Sequence, residues 1–590
     1  MSTPSLRRRA SAGRSRTRRL LNELSDLRTR FGRAQMLPRR KLALLQALRG
    51  TVFHKPEHLL AYHDALLLLR AYPDTAAIAK EADRQLQSFT RRVAAYRRIA
   101  GDAADEALLD SGLVDTAVAH VFSYRLAVAL AERFPRRIDI DWDSYWESAS
   151  SDLSVALSPA MLWHELEAID NDEDFNEQSW LELSRTRRDP TCLKALLTLL
   201  GSSGLSEPIR ESLYTGAEIP LRWELSGAPV SRTLRRIPWR RPFYQTDPLL
   251  GRTQDLRGDL RSPAPPLRHL PRHRGEAYVR AIQEVLGARV RELYPLTGAN
   301  PGEVYLHEPG RGVQIVVYGS LPPVRLPHET NMGAMLVRNG VPIGYGVTAL
   351  LFDRAEIAIN VFPTYRAGES AWLITQFLRL FASHFGSRVL LVRSFQVGDD
   401  NEEGLESGAF WFYHKLGFRP VKPRVRALAR KESRRIAMDR RYRSPLSMLK
   451  HLARSDLFFH LDETRMDRFE ELNVADLGYA LTRRIAREYG GDREKATEGS
   501  VRRLQRLLGL RGLDRWSADE RAGLHRMAPL AASIPDLAAW SSAERTLLAR
   551  LLRAKGGPRE KEFHRLASTH RKFQQALRKM ATEERRRRSE

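Results

Sequence analysis

Residues 333–362 leave the chain few choices of secondary structure. GAMLVR and VPIGYGVTALLF are apolar, β-prone runs separated by Asn339-Gly340, the strongest short hairpin signal. Asp353-Arg354 then turns the chain into AEIAINVF, so three antiparallel strands are expected over 333–338, 341–352 and 355–362. SAWLITQFLRLFASHF follows with helical periodicity, and Gly386 ends it. RVLLVRSF reads as a buried strand over 388–395 and SGAFWFYHKLG as a helix closed by Gly417. Ahead of the hairpin, GEAYVRAIQEVLGARVREL is an amphipathic helix and VQIVVYG a strand. Residues 275–420 therefore form a domain in which helices and a sheet share a core.

A chain of 590 residues exceeds what one core organises, and the flanks differ from this central block. Residues 1–19 hold seven Arg and no acid, the composition of a disordered basic leader. Residues 20–227 read as helices, with Leu20, Leu21, Leu24, Leu27 and Phe31 on one face of the first. Residues 228–274 carry eight Pro, eleven Arg and three Asp, which defeats helix and central strand alike and predicts a basic linker. Its aromatics Trp239, Phe243 and Tyr244 either stack on nucleic acid or pin the linker to its own domains, and pinning is the simpler reading. Residues 421–590 return to helices. Two of them open on matched capping boxes, Ser517 with Glu520 and Ser541 with Glu544.

The formal charge of +26 favours an acidic partner such as nucleic acid or another polyanion. Only thirteen of the ninety-seven basic residues are Lys, however, and such a skew follows from GC-rich coding without any dedicated polyanion role. The single cysteine, Cys192, excludes a disulfide framework and a cysteine-based zinc ribbon. The most apolar run, from Ala117, is broken by His120 and Arg125, so no membrane span is expected and the location expected is cytoplasmic. Asp170, Asp172 and Asp174 open like a calcium loop, but Phe175 and Leu181 stand where Gly and Glu are needed, and no metal site is expected.

One stretch carries chemistry. AEIAINVFPTYRAGESAWL, residues 355–373, joins a strand to a helix through a loop holding Arg366, Gly368 and Ser370. A helix N-terminus presents free N–H groups to an anion. AFWFYHKLGF, residues 409–418, follows one strand later. Together they resemble the GNAT acyltransferase superfamily. Ala355-Glu356-Ile357, Ile359, Val361, Pro363 and Tyr365-Arg366 match its fourth strand, and Ala409, Tyr413, Lys415, Leu416, Gly417 and Phe418 match its closing motif.

The resemblance implies an α+β fold, with a GNAT-like central mixed sheet flanked by all-α regions. It also implies a role for each matched residue. Arg366, Ala367, Gly368, Glu369, Ser370 and Ala371 would cradle the pyrophosphate of acetyl-CoA or another acyl-CoA. Asn360 and Val361 would pair with pantetheine where the strands splay. Tyr413 would protonate the departing thiolate, and Glu356 would serve as general base towards an amine acceptor. Glu369 stands in a glycine slot of the family loop, where a carboxylate repels phosphate unless it points away. The expectation is an acyl-CoA-dependent N-acyltransferase. The alternative is a catalytically degenerate GNAT-like scaffold or a basic nucleic-acid-binding protein.

Overall fold

Asn339 (φ 48°) and Gly340 (φ 77°) both take the left-handed conformation that a type I′ hairpin demands. A side chain on Gly340 would come within 2.7 Å of the Ile237 carbonyl oxygen, so glycine is required twice over. The Asn339 carboxamide donates to the carbonyls of Ala71 and Phe243, both at 2.9 Å, and accepts from the Phe243 N–H at 2.8 Å. The turn thus pins the linker and an N-terminal helix to the sheet. Asn339→Ala removes all three bonds and puts a Cβ-only residue in the left-handed region. It should cost about 2–4 kcal/mol, read as a lower urea midpoint with an unchanged slope.

The computed structural model describes residues 3–32, 36–172, 174–226, 229–239, 241–292, 294–439, 441–467 and 469–589. The fold is α+β, with a large mixed sheet among many helices. Ala117–His120 (β1), Ile138–Ile140 (β2) and Leu221–Glu224 (β3) make a small sheet in the order β1-β3-β2. The large sheet contains Leu267–His269 (β4), Ala299–Gly310 (β5), Val313–Ser320 (β6), Thr330–Arg338 (β7) and Val341–Leu351 (β8). Arg354–Val361 (β9), Val389–Val392 (β10), Arg419–Pro420 (β11) and Leu457–His460 (β12) complete it. Its order is β11-β12-β10-β9-β8-β7-β6-β5-β4. The expected hairpin and third strand are β7, β8 and β9, paired antiparallel throughout. Every residue of β6 and β7 is buried, which means both faces of the sheet are covered.

Helix Pro56–Ala71 packs on β8, Arg272–Gly287 on β5, Ser370–Phe385 on β9 and Glu560–Thr569 on β6 to β8. One core runs continuously from Leu21 to Val114 and again from Ile237 to Phe459. A second is confined to Val118–Val230 with Ala288. The third joins Leu351 and Phe352 to helices between Leu472 and Ala581. Glu303 on β5 clamps that third unit to the sheet by accepting the N–H groups of Glu560 (2.7 Å) and Lys561 (2.8 Å) at the start of a helix.

Several expectations are corrected. The leader expected to be disordered is helical from Thr3 to Leu27, because the helix anchored by Leu21 and Leu24 propagates through Arg, Ala and Ser at little cost per residue. The all-α reading of 20–227 misses the small sheet. Its strands of three and four residues are too short to show a period of two. The linker is largely irregular, as proline density requires, yet it supplies β4 and buries Ile237, Leu256, Leu260 and Leu270. The sheet also reaches past Pro420, because β12 comes from the C-terminal helical region. Both capping boxes form as expected. Among the described residues, no helix is long and apolar enough to cross a membrane.

Candidate functional site

β9 and β10 are the sheet's parallel pair among the described residues. They pair at Arg354/Val389, Ala355/Leu390 and Glu356/Leu391 and then part company. β9 continues to Val361 with β8 alone as partner, which leaves the opposite edge of residues 357–361 out of the ladder. The chain turns through Pro363–Tyr365 into the loop at Arg366 and then into the helix that begins at Ser370. The point where the strands part and the helix N-terminus therefore both lie towards the C-terminal end of β9.

Arg366 turns back onto the strand. Its Nε donates to the Val361 carbonyl at 3.0 Å, and the other arm of the guanidinium reaches the Asn360 side chain at 3.3 Å and pairs with Glu403. Glu403 also lies 3.6 Å from Arg291. Burial works to raise the Glu403 pKa, but the Arg366 contact outweighs it and holds the carboxyl below its ordinary value.

Glu369 turns into the core. Its carboxylate is fully buried, accepts from the Leu250 N–H at 2.9 Å, and pairs with both Arg311 and Arg338. Arg338 also donates to Gln245 at 2.6 Å and lies 3.9 Å over the ring of Tyr72. The Tyr72 hydroxyl accepts the Glu369 N–H at 3.3 Å, and a side chain on Gly368 would meet that hydroxyl at 2.6 Å. The Gly368 N–H goes to the Tyr365 carbonyl at 2.9 Å, and the Ser370 hydroxyl to the Arg366 carbonyl at 2.8 Å. The N–H groups of Ser370 and Ala371, in the first turn of the helix, have no hydrogen-bond partner among the described residues. Ala367 is exposed.

Glu356 is committed to Arg393, which donates to it at 2.7 Å and also to Asp456 at 2.9 Å and Glu471 at 2.8 Å. Arg354 extends the network to Glu471 and Glu329. Burial alone would lower the Arg393 pKa, but Glu471, Glu356 and Asp456 together raise it. A carboxylate held in that way is not an unencumbered base. Tyr413 is 4% exposed, its ring edge-on to Phe412 and Phe418 at 5.3 and 5.4 Å. Its hydroxyl has no hydrogen-bond partner among the described residues, and burial raises its pKa above the ordinary phenol value.

The expected residues thus fall into two groups. Asn360, Val361 and Arg366 come together at the end of β9, next to the loop that runs to Ala371, whereas Tyr413 sits in an aromatic layer and Glu356 in an ion cluster. Tyr72, Arg291, Arg393 and Glu403 also shape the site. None carries a local motif, and Tyr72 lies almost three hundred positions before the loop it touches. No group of His, Cys, Asp and Glu among the described residues is arranged to hold a metal. A cavity of about 530 Å³ lies where β9 and β10 begin, away from the parted ends, lined by Phe352, Arg354, His460, Arg465 and Arg578. Comparisons with protein-family models, with curated proteins and with solved structures find no match to this chain.

Proposed function

We propose that the sheet domain is an acyl-CoA-dependent N-acyltransferase of the GNAT type, transferring an acyl group to an amine. The observation that carries this reading is the parting of the parallel pair after Glu356/Leu391, beside a helix N-terminus with free N–H groups. A strand edge left without a partner beside a helix N-terminus offers backbone groups for a ligand to pair with. The inward turn of Glu369 supports the reading too, since it removes the like charge from the pyrophosphate position. The donor set suits an anionic cofactor: the N–H groups of Ser370 and Ala371, with the cationic Arg366 alongside once phosphate displaces Glu403 from it.

Acyl-CoA bound here supplies an activated thioester. Arg366, Ser370 and Ala371 hold its phosphates, and Asn360 and Val361 orient its pantetheine arm once Arg366 releases the Val361 carbonyl. With acyl-CoA bound, the amine nitrogen would displace the thiolate at the thioester carbonyl, Tyr413 would be placed by the motif to give its proton to the thiolate, and the proton lost by the nitrogen would return to the Tyr413 oxygen through water. Glu356, paired with Arg393, orients the amine rather than deprotonating it.

A second reading is a scaffold that has lost catalysis and binds a polyanion. The Glu356–Arg393 pair and the burial of Tyr413 favour it. Thermal shift with acetyl-CoA and longer acyl-CoAs, against heparin, separates the two. Acyl-CoA should raise the melting temperature, and Arg366→Ala should weaken that binding by about 1.5–3 kcal/mol. Tyr413→Phe should lower turnover roughly ten- to a thousandfold with affinity little changed. Stabilisation by heparin alone would replace the enzyme with the scaffold.

A further inference from the structure

Residues 139–184 hold thirteen acids and no Lys or Arg, inside a chain whose net charge is +26. Among the described residues, none of those carboxylates forms an ion pair with Lys or Arg. The same stretch exposes large apolar side chains: Trp163 is 86% exposed, Leu183 77%, Leu162 70% and Trp146 51%. Helix Trp163–Asn171 buries no residue at all. A groove of about 550 Å³ runs beside it, with Leu157, Met161, Trp163 and Leu166 as apolar lining and Glu167 and Asp170 on its rim. Helix Glu177–Ser184 ties the patch together, since Glu177 also lines the groove and Gln178 accepts from the Trp146 indole at 3.2 Å. Monomers rarely leave such apolar surface open, and Trp is the residue most often found at the energetic centre of an interface.

The chain carries its own complement. Helix Thr3–Leu27 holds seven Arg and no acid through residue 19, and Arg16, Arg18 and Arg19 are exposed. Its far end is anchored by Leu21 and Leu24, with Leu20 and Leu27 beside them, against Met36–Ala47 and Pro56–Ala71, elements of a different core from the acidic face. We infer that this face receives the Arg-rich N-terminal helix of a second copy of the chain, and that two copies exchange helices reciprocally in a two-fold dimer. Reciprocal exchange closes the symmetry and satisfies both faces at once. The apolar groove supplies affinity, and the charges supply register and a strong dependence on salt.

Sedimentation velocity of the full chain tests this. Dimer should dominate at tens of micromolar protein in about 50 mM salt and weaken at least tenfold in about 500 mM. Glu167→Lys with Asp170→Lys should weaken association at least tenfold, as should Arg16→Glu with Arg18→Glu and Arg19→Glu, all of them exposed. These are surface changes, so the melting temperature of each variant should stay near that of the parent. Mixing the two variants juxtaposes a reversed face with a reversed helix and should restore a heterodimer. Trp163→Ser should weaken association at either salt. A chain that stays monomeric at low salt, or a dimer indifferent to both sets of charge reversals, overturns the inference.

Discussion

Glu369→Ala should destabilise the folded chain by roughly 3–5 kcal/mol, the usual result of stripping one partner from a buried ion pair. Arg338 is fully buried and would keep the Gln245 oxygen and the faces of Tyr72 and Phe243 as its remaining contacts. Its Nε already lacks a partner. The Leu250 N–H would be orphaned as well. Arg311, Arg338, Gln245 and Tyr72 come from three stretches of the chain within one continuous core, so the loss should appear in global unfolding. Urea unfolding followed by far-ultraviolet circular dichroism and by tryptophan fluorescence should shift together. Glu369→Leu combined with Arg338→Leu should recover much of the loss, because the desolvation cost of both charges disappears with the pair. A single-variant shift below about 1 kcal/mol would mean that the cluster is hydrated and behaves as a surface pair.

Acid should unfold this protein early. Burial pushes His63, His307, His328 and His414 from 6.5 down to about 4 each. A histidine depressed on folding contributes stability that is complete above the unfolded value of 6.5 and is lost as pH falls towards 4. For the fully buried His63 and His307 the full loss is roughly 3 kcal/mol each. Asp64 opposes the shift at His63, and Arg232 and Arg70 reinforce it. At His307, His384 and Arg379 add to burial, while the carbonyls of Pro265 and Pro266 work against it. Glu303 runs the other way. Burial raises it to about 7, so its contribution is complete below 4.5 and lost as pH climbs through 7. Burial also raises Asp74, Asp139, Glu211, Glu329 and Glu560, which side with Glu303, and lowers His120, His384, His460, His564 and His570, which side with the four rings. The four rings carry the largest histidine shifts, and the urea midpoint should fall between about pH 6.5 and 4.5. His307→Gln should flatten part of that slope. A midpoint constant over this window would show that these rings are reached by water.

What could be read in advance depended on how local the signal was. Asn339-Gly340 lies between two long apolar runs, and both turn residues and register are visible there. The capping boxes are similarly local, since Ser517 and Glu520, like Ser541 and Glu544, satisfy each other within one turn. β12 is four residues that are all buried, so it shows no alternation, and its place between β10 and β11 follows from packing alone. In the candidate site, Arg366, Gly368 and Ser370 stand out because a loop opening a helix has a recognisable composition. The inward turn of Glu369 was invisible, because it depends on Arg311 on one strand end, Arg338 on another and Tyr72 at the end of a distant helix. Glu356 looked like a free base for the same reason. Its partner Arg393 is adjacent only after β9 and β10 have paired.

The insertion of β12 between β10 and β11 sets a timetable for biosynthesis. During translation β10 is finished at Val392, but the strand that covers its free edge begins only at Leu457, and β11 has no other neighbour. At roughly 5–20 residues per second, about 65 residues separate the two events, a delay on the order of 3–13 s. Throughout it the nascent chain displays an open edge of Val389, Leu390, Leu391 and Val392, a template for pairing with any other strand. The Val118–Val230 core draws Ala288 and the half-buried Val290 from beyond itself and is complete before that interval starts. Production of intact protein should therefore depend on elongation rate and chaperone supply over residues 392–460, and slowing codons there should raise the aggregated fraction.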